Sequence, residues 1–276
     1  MKKIHDIQLE MFLELKKVME KLNIKYYFIH GSLLGAVTRG GFIDEDDDID
    51  IAIFREDYNK LIRYGNDYLP DKYFIQSSLN DDFPLSFAKM RNNQTTFIQP
   101  ILNKCNCNKG IYIDIFPIDY VSKNIVEKFI EKFLDIRIKS RLSYPSFSLT
   151  RLIFQEISFV FFPSYNRAIE IREKLFTNRH PSEYVRITGG KLSERYLPLE
   201  WFGEGITKKF CNVDVVCPSK YEEYLTKVYG EKFHSINPAK DRIYLNNLIN
   251  ISANILDFEK SYKEYEISSR ISNKFR

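Results

Sequence analysis

An acidic run that leads into an alternating segment is the part of this chain whose residue types could do chemistry. Residues 44–50 read DEDDDID, six carboxylates in seven positions. Like charges a few ångströms apart repel each other, so this crowding is costly unless a cation lies among them. Asp48 and Asp50 alternate with Ile49 and Ile51, the period of a β-strand, which predicts that both carboxylates share one face. Two hard oxygen ligands side by side suit Mg²⁺ or Mn²⁺.

The other interpretation of an acidic run is a solvated loop. We apply that interpretation to residues 44–46. It fits Asp48 and Asp50 poorly, because these two are embedded in apolar residues that should be buried. For Asp48 and Asp50 the pattern therefore predicts a metal site.

Asp114 is a lone carboxylate in a second apolar strand, residues 110–116, which we expect Pro117 to end. A buried carboxylate without a partner is costly, so it needs a cation or a hydrogen-bond donor. If this strand lies beside the first, three carboxylates could hold two metal ions near one phosphate. The alternative is a structural ion pair with an Arg or Lys.

Gly31 and Ser32 precede the acidic run and a short helical segment at 33–37. A glycine lets the backbone approach a phosphate closely, and a serine offers its hydroxyl. The start of a helix adds free N–H groups and the positive end of its dipole. This pair is therefore a candidate phosphate cradle.

Composition restricts the partners that the chain could have. Its 276 residues carry a net charge of +4 without a long basic block, which is too mild to indicate nucleic acid. That charge is compatible with an anionic nucleotide or an acidic membrane surface. The N-terminus predicts an amphipathic helix instead of an export signal, so we expect a cytoplasmic protein. Residues 157–163 are too short to span a bilayer and are a buried helix end or a peripheral membrane contact.

The four cysteines do not form a recognisable zinc motif. Cys105 and Cys107 are separated by one residue, which is the wrong spacing for a zinc knuckle. Free thiols in a reducing cytoplasm are expected. A Cys₄ site would require this pair to meet Cys211 and Cys217.

Periodicity predicts an α/β fold with its core in residues 1–120 and a helical, then mixed, region in 121–276. The predicted strands are 26–29, 48–54, 73–76, 85–90, 95–98 and 110–116. The predicted helices after the N-terminal one are 33–37, 55–68, 126–141 and 151–175.

The order of a Gly-Ser turn, an Asp-x-Asp strand and a distant third Asp resembles the nucleotidyltransferase fold. The segment GSLLGAVTRGGFIDEDDDIDIAIFREDY is similar, more specifically, to the signature of the LicD family of phosphocholine and ribitol-phosphate transferases. Further similar blocks are FAKMRNNQTTFI, GIYIDIFPID and CPSKYEEYLTKVYGEKF. The resemblance implies a nucleotidyltransferase-like mixed sheet flanked by helices, with residues 121–276 packed on the core and completing the donor and acceptor site.

The resemblance also implies roles for individual residues. Asp48 and Asp50 would bind the metals, Asp114 would be the third ligand or a base, and Gly31 and Ser32 would cradle the donor phosphates. The basic residues that would contact the donor are Arg39, Lys89, Arg91 and Arg242. For Lys89 and Arg91 the alternative is an exposed strand end. The chain departs from the family pattern at 44–45, where Asp-Glu replaces Pro-Trp, which leaves the donor preference open.

The implied activity is a metal-dependent transfer of a phosphoalcohol from CDP-choline or another CDP-alcohol to a hydroxyl of a cell-surface glycan. The acceptor would be a lipopolysaccharide, a teichoic acid or a lipid-linked glycan, met in the cytoplasm or at the inner face of the membrane. One alternative is a nucleotidyltransferase that moves NMP to a small acceptor. Another is a catalytically silent glycan-binding protein. For choline, an aromatic cage could come from Tyr26, Tyr112, Tyr196 and Trp201.

Overall fold

The computed structural model describes residues 2–44, 46–142, 149–236 and 255–265. The helices are α1 (Lys2–Lys21), α2 (His30–Thr38), α3 (Arg55–Tyr64), α4 (Ile125–Lys139), α5 (Leu149–Phe161), α6 (Tyr165–Thr177) and α7 (Tyr221–Tyr229). The strands are β1 (Tyr26–Phe28), β2 (Asp50–Phe54), β3 (Tyr73–Gln76), β4 (Ala88–Asn92), β5 (Thr96–Ile98), β6 (Tyr112–Tyr120), β7 (Tyr184–Ile187), β8 (Leu197–Pro198), β9 (Ile206–Phe210), β10 (Val213–Cys217) and β11 (Ile255–Asp257). Short 3₁₀ turns lie at Gly65–Tyr68, Pro100–Leu102, Leu192–Arg195, Leu199–Trp201 and Phe233–Ser235.

A mixed seven-stranded sheet forms the centre of the molecule, which confirms the α/β fold. Five strands follow the order β1-β2-β6-β4-β3, and β7 pairs with the far part of β6 and carries β8. Strands β2 and β6 run parallel, whereas the other pairs described in this sheet are antiparallel. Strands β9 and β10 form a separate hairpin, and β11 pairs with β5. The parallel pair places the ends of two distant segments side by side.

Helix α1 covers the sheet with the apolar stripe that its sequence predicts. Met11, Leu15 and Val18 are buried at the spacing of successive helical turns. The helix contacts β4 and β6, which are the strands at the middle of the sheet. Burial of this stripe is the principal favourable contribution that fixes the helix there.

Pro117 does not end the strand that contains Asp114, contrary to our expectation. Strand β6 continues to Tyr120, and the Pro117 carbonyl accepts a hydrogen bond from the N–H of Thr188. Strand β4 pairs with β6 only as far as Ile115, and β7 begins its pairing at Ile118. The proline therefore lies in the gap between two partner strands, where a missing N–H costs no ladder hydrogen bond.

The single helix predicted over 151–175 is two helices. Helix α5 ends at Phe161 and α6 begins at Tyr165. Pro163 lies in the break, and the Ser164 side chain accepts the N–H of Arg167 as an N-cap. A proline cannot continue a helix and a serine favours a helix start, so the two residues together explain the division.

The two cysteine pairs lie in different parts of the structure. Cys105 and Cys107 are buried in a small apolar cluster with Phe83 and Leu102. Cys217 is in the main core, and Cys211 packs against that core. All four are free thiols, and burial raises the pKa of Cys105 to about 11 and that of Cys107 to about 12. The pairs do not meet in the arrangement that a Cys₄ site would require.

Within the described ranges, no helix has both the length and the apolar character that crossing a bilayer demands.

A buried ion pair ties α3 to the sheet. The Arg55 guanidinium donates from Nε to Asp119 Oδ1 at 2.6 Å and from Nη2 to Oδ2 at 2.8 Å. Its Nη1 donates to Glu173 of α6 at 2.9 Å, and the hydroxyl of Thr188 also donates to Asp119. Burial would raise the pKa of Asp119, but Arg55 and Thr188 outweigh it and lower the pKa.

This pair predicts a specific acid sensitivity. Because the pKa of Asp119 is lower in the native protein than in the unfolded chain, Asp119 contributes stability at pH values above about 3.9, the pKa of an unfolded Asp. This stability is lost as the pH falls through the native pKa. The variant Asp119→Asn should lower the free energy of unfolding at pH 7 by about 3–5 kcal/mol. Urea unfolding at pH 7 and near pH 3 should show the deficit shrinking in acid.

The matched control is Glu204→Gln, which removes a carboxylate from an exposed pair with Lys25. It should leave the unfolding midpoint nearly unchanged, because exposed ion pairs contribute little. An Asp119→Asn deficit of the same size at both pH values would contradict the linkage argument.

Candidate active site

The register of β2 against β6 brings the three predicted metal ligands together. Asp50 on β2 is directly opposite Asp114 on β6. Asp48 lies just before β2, which begins at Asp50, and not within the strand as we expected. One carboxylate oxygen from each of the three lies within 4.8 Å of those of the other two. The predicted proximity of the two strands is confirmed.

A second carboxylate group adjoins the first and shares one member with it. Asp46, Asp47 and Asp48 also place one oxygen each within 4.8 Å of one another. Asp44 is exposed, as a solvated loop requires, but Asp46 is buried and the solvated-loop interpretation was wrong for it. Glu45 lies outside the described residues. Asp46 is buried because it packs against the backbone of Gly31.

Gly31 is required at this contact. A Cβ atom added to Gly31 would lie 2.0 Å from Oδ2 of Asp46, far inside contact distance. Only glycine lets the start of α2 approach the acidic segment this closely. Ser32 fixes the position of Asp50, because its Oγ accepts a hydrogen bond from the backbone N–H of Asp50 at 2.8 Å. The Gly-Ser pair thus holds the acidic segment in place, and its role as a phosphate cradle stays a prediction.

The carboxylate cluster is electrostatically unfavourable without a cation. Burial and the neighbouring carboxylates raise the pKa of Asp46 and Asp48 well above the ordinary range. The pKa of Asp114 is raised to about 6, chiefly by burial. A donor set of carboxylate oxygens is what Mg²⁺ or Mn²⁺ prefers. The residues present therefore fit a hard divalent cation, which would remove the repulsion that they create.

Lys89 supplies part of the missing positive charge. It is opposite Asp114 on β4, and its Nζ forms an ion pair with Oδ1 of that residue. The ammonium also lies 3.4 Å from the centre of the Tyr112 ring. Burial lowers the pKa of Lys89, and the charge of Asp114 opposes this shift. The ion pair that we considered as the alternative for Asp114 exists, and it coexists with the carboxylate cluster.

His30 connects the cluster to a buried glutamate. Its Nδ1 lies 3.5 Å from Oδ2 of Asp50, and its Nε2 lies 2.8 Å from Oε2 of Glu194. Burial disfavours the charged imidazole, but Glu194 and Asp50 outweigh it and raise the pKa of His30 to about 10. The backbone of His30 has φ +48°, a left-handed conformation that is strained for a non-glycine residue. The contacts on both ring nitrogens hold that conformation.

Glu194 is fully buried and has three partners. Besides His30, it accepts the N–H of Lys191 at 2.6 Å and the hydroxyl of Tyr224 on α7. Burial would raise its pKa, but His30 outweighs burial and lowers it. The chain from Tyr224 through Glu194 and His30 to Asp50 joins the C-terminal region to the acidic segment.

A cavity of about 450 Å³ opens onto the carboxylates. Lys89 and Lys191 line it, and burial lowers the pKa of Lys191. Its aromatic lining residues are Phe87, Tyr112, Phe116 and Tyr229. The cavity therefore combines carboxylates with two lysines, a histidine and aromatic rings, a setting suited to a phosphate ester with an apolar or cationic end.

Arg39 and Arg91, two of the basic residues predicted to contact the donor, are not among the residues that line the cavity. Arg39 is exposed at the C-terminal end of α2. Arg91 is fully buried and donates to Gln76 and to the carbonyl of Gly110. Arg242 lies outside the described residues. The donor contacts of Arg39, Arg91 and Arg242 stay predictions.

The sequence analysis did not single out Lys191, Glu194 or His30 as site residues. No periodic or motif signal marks Glu194, because its partners come from distant segments. His30 was the available clue, since it immediately precedes the Gly-Ser turn. A histidine directly before a candidate phosphate cradle could have been weighed as a partner for Asp50.

The Glu194 network predicts a measurable stability cost. The variant Glu194→Gln keeps the shape but removes the charge that faces His30, so we expect a loss of about 2–4 kcal/mol in the free energy of unfolding. The milder variant Tyr224→Phe removes one hydrogen bond and should cost about 1 kcal/mol. Urea denaturation measures both. Unchanged midpoints would show that the network contributes nothing to the fold.

Two comparisons with known proteins bear on this geometry. Residues 23–161 match the sequence profile described as LicD/FKTN/FKRP, nucleotidyltransferase domain. The chain is also 23% identical over 239 residues to the lipopolysaccharide cholinephosphotransferase LicD of Haemophilus influenzae (strain ATCC 51907 / DSM 11121 / KW20 / Rd). That alignment covers 81% of this chain and 87% of the relative. The profile spans half of the chain and includes the Gly-Ser turn and every carboxylate of the cluster, so this protein belongs to the LicD family.

Proposed function

We propose that this chain is a metal-dependent phosphotransferase that moves phosphocholine from CDP-choline to a hydroxyl of a cell-surface glycan. The proposal rests on the three carboxylates of Asp50 and Asp114, which lie opposite each other on the parallel strand pair, and of Asp48, just before β2. The relative from Haemophilus influenzae, named as a lipopolysaccharide cholinephosphotransferase, supports the choice of substrate.

The metal would be held by the carboxylates already described. Asp48, Asp50 and Asp114 would hold one ion, and the adjoining group of Asp46, Asp47 and Asp48 offers ligands for a second. When bound, Mg²⁺ or Mn²⁺ would supply positive charge to the donor pyrophosphate. The protein adds Lys89 and Lys191, whose ammonium groups line the same cavity and would neutralise further phosphate charge.

The transfer forms a bond from the acceptor oxygen to the phosphorus that carries choline, and it breaks the bond from that phosphorus to the oxygen of CMP. The acceptor hydroxyl loses its proton as it attacks, and Asp114 or a neighbouring carboxylate accepts it. CMP leaves with the electron pair of the broken bond. Ser32 and His30 hold Asp50 in place by contacts to its backbone and its carboxylate.

Two phenylalanines offer an apolar surface for the choline end. Phe87 and Phe116 stack with ring centroids 4.4 Å apart, and both line the cavity. Lys89 occupies the face of Tyr112, and Lys191 lies over the Tyr229 ring at 4.1 Å. Of the aromatic residues suggested by sequence, Tyr26, Tyr196 and Trp201 are not among the lining residues. Lys89 lies farther from the centre of the Phe87 ring, at 5.4 Å, so a quaternary ammonium would be received by the phenylalanine pair.

The donor can be identified by thermal unfolding in the presence of Mg²⁺. CDP-choline, CDP-ethanolamine, CDP-ribitol, CDP-glycerol, CTP and ATP would be compared at equal concentration. A ligand at about 100 times its Kd adds about 2.7 kcal/mol of stability, so the true donor should raise the Tm clearly. We expect CDP-choline to give the largest shift. A shift with CTP or ATP alone would indicate nucleotidyl transfer, and no shift with any compound would indicate a glycan-binding protein.

Asp48→Asn should change stability and activity in opposite directions. Without metal, removing one of several crowded negative charges should raise the free energy of unfolding by about 1–2 kcal/mol. The same change should abolish the extra stability that Mg²⁺ gives the native protein and reduce phosphocholine transfer at least about 1,000-fold. Unfolding with EDTA and with Mg²⁺, together with release of CMP from CDP-choline, measures these effects.

The matched control is Glu56→Gln, which removes an exposed carboxylate from the first turn of α3. It should leave the Mg²⁺ effect and the transfer rate unchanged. If Asp48→Asn retained both the Mg²⁺ stabilisation and the activity, the metal-site proposal would be wrong.

A further inference from the structure

An apolar surface on α4 and α5 remains exposed. Its members on α4 are Ile125, Val126 and Phe129, with exposed fractions of 77%, 60% and 59%. Its members on α5 are Ile153, Phe154, Val160 and Phe161, whose exposed fractions run from 36% for Phe154 to 79% for Val160. We call these seven residues the α4/α5 face. Large apolar side chains exposed together on one surface indicate an interaction site.

Ring contacts make this face continuous across the two helices. The ring of Phe133, which is itself buried, lies 5.5 Å from that of Phe129 on its own helix. It also lies 6.1 Å from Phe154 and 6.0 Å from Phe161 on α5. The exposed rings therefore surround one buried ring and are not separate surface residues.

Helix α4 also has an apolar contact with α6 that does not involve this face. Leu134 and Ile138 are buried against Ala168 and Ile169 of α6, which gives α4 an apolar contact of its own. Ile125 and Phe129 lie one turn apart on another side of the helix. Helix α4 thus has a second apolar side beyond the one that packs in the core.

Charges of both signs lie at the edge of the face, with a small positive excess. Lys132 is exposed on the same side of α4 as Phe129, and its Nζ lies 4.7 Å from the centre of the Phe154 ring. Lys128 is also exposed on α4, and its Nζ donates to the Tyr196 hydroxyl at 3.2 Å. Nearby acidic residues are partly neutralised, because Glu131 pairs with Arg179 and Arg186 and Asp135 pairs with Lys139. Glu127 on α4 and Glu156 on α5 are the acidic residues of this edge outside those pairs.

A cavity of about 970 Å³ adjoins the start of α4 and extends the positive region. The basic side chains that line it include Lys123, Arg167 and Lys174. Glu127 and Glu183 also line it, and Arg167 pairs with Glu170 at 3.0 Å. An apolar surface, an edge of lysines and a basic cavity therefore lie along one helix.

We infer that the α4/α5 face docks this protein on a bilayer that contains anionic lipid. The aromatic and aliphatic side chains would enter the boundary between head groups and acyl chains, and the lysines would contact lipid phosphates. A second copy of the chain fits less well, because a two-fold contact of this face with itself would bring like-charged lysines together. This inference goes beyond the proposed transferase activity and does not depend on it.

Vesicle co-sedimentation of the full chain tests the apolar part. Vesicles of phosphatidylcholine with phosphatidylglycerol are compared with vesicles of phosphatidylcholine alone, and binding should favour the anionic vesicles. The double variant Phe129→Gln/Val160→Gln should bind them about tenfold or more weakly than the unaltered protein. The control is Leu13→Gln, an exposed apolar residue on α1 with 39% exposure, which should bind like the unaltered protein.

A second pair of variants tests the charges. Lys128→Gln/Lys132→Gln should weaken binding to anionic vesicles by roughly fivefold for each lysine and reduce its dependence on salt. Lys227→Gln removes an exposed lysine from α7 and should have no effect. Thermal unfolding checks that each variant is as fully folded as the unaltered protein.

Several outcomes would overturn the inference. One is an unaltered protein that binds neither kind of vesicle, and another is a Phe129→Gln/Val160→Gln variant that binds as well as Leu13→Gln. Sedimentation equilibrium tests the alternative partner, which is a second copy of the chain. If the unaltered protein dimerises and does not bind vesicles, and if Phe129→Gln/Val160→Gln is a monomer, the face is an interface between two copies.

Discussion

Electrostatic repulsion within one buried acidic segment is the constraint around which much of this structure is arranged. The register of β2 with β6 places Asp50 opposite Asp114, and the segment before β2 adds Asp46, Asp47 and Asp48. Such a cluster would resist burial if it had no positive charge nearby. The surrounding elements supply that charge from three directions, with Lys89 from β4, Lys191 from a loop and His30 from the start of α2.

The residues that hold the carboxylate cluster in position come from parts of the chain that are distant in sequence. Glu194 and Tyr224 hold His30, and His30 contacts Asp50. The Arg55–Asp119 pair joins α3 to the far end of the same strand that carries Asp114. The region after residue 120 thus contributes directly to the position of the acidic groups.

A surface with different chemistry lies on α4 and α5. Its apolar and basic side chains are what an anionic bilayer would contact, whereas the cavity at the carboxylates suits a phosphate ester. An enzyme of the proposed kind whose acceptor is linked to a lipid would benefit from a docking surface, because the acceptor is then concentrated at the bilayer.

The sequence by itself determined the α/β class, the buried stripe of α1 and the identity of the main carboxylates. These follow from local periodicity and from the cost of burying charge, which are both readable along the chain. Pro117 and the break at Pro163 show the limit of local rules, since a proline ends an element only where its N–H is needed or its ring clashes. The tertiary structure alone decided that Lys89 faces Asp114, that Asp46 is buried and that Glu194 reaches His30. Those contacts depend on strand register and on packing between distant segments, which no local pattern encodes.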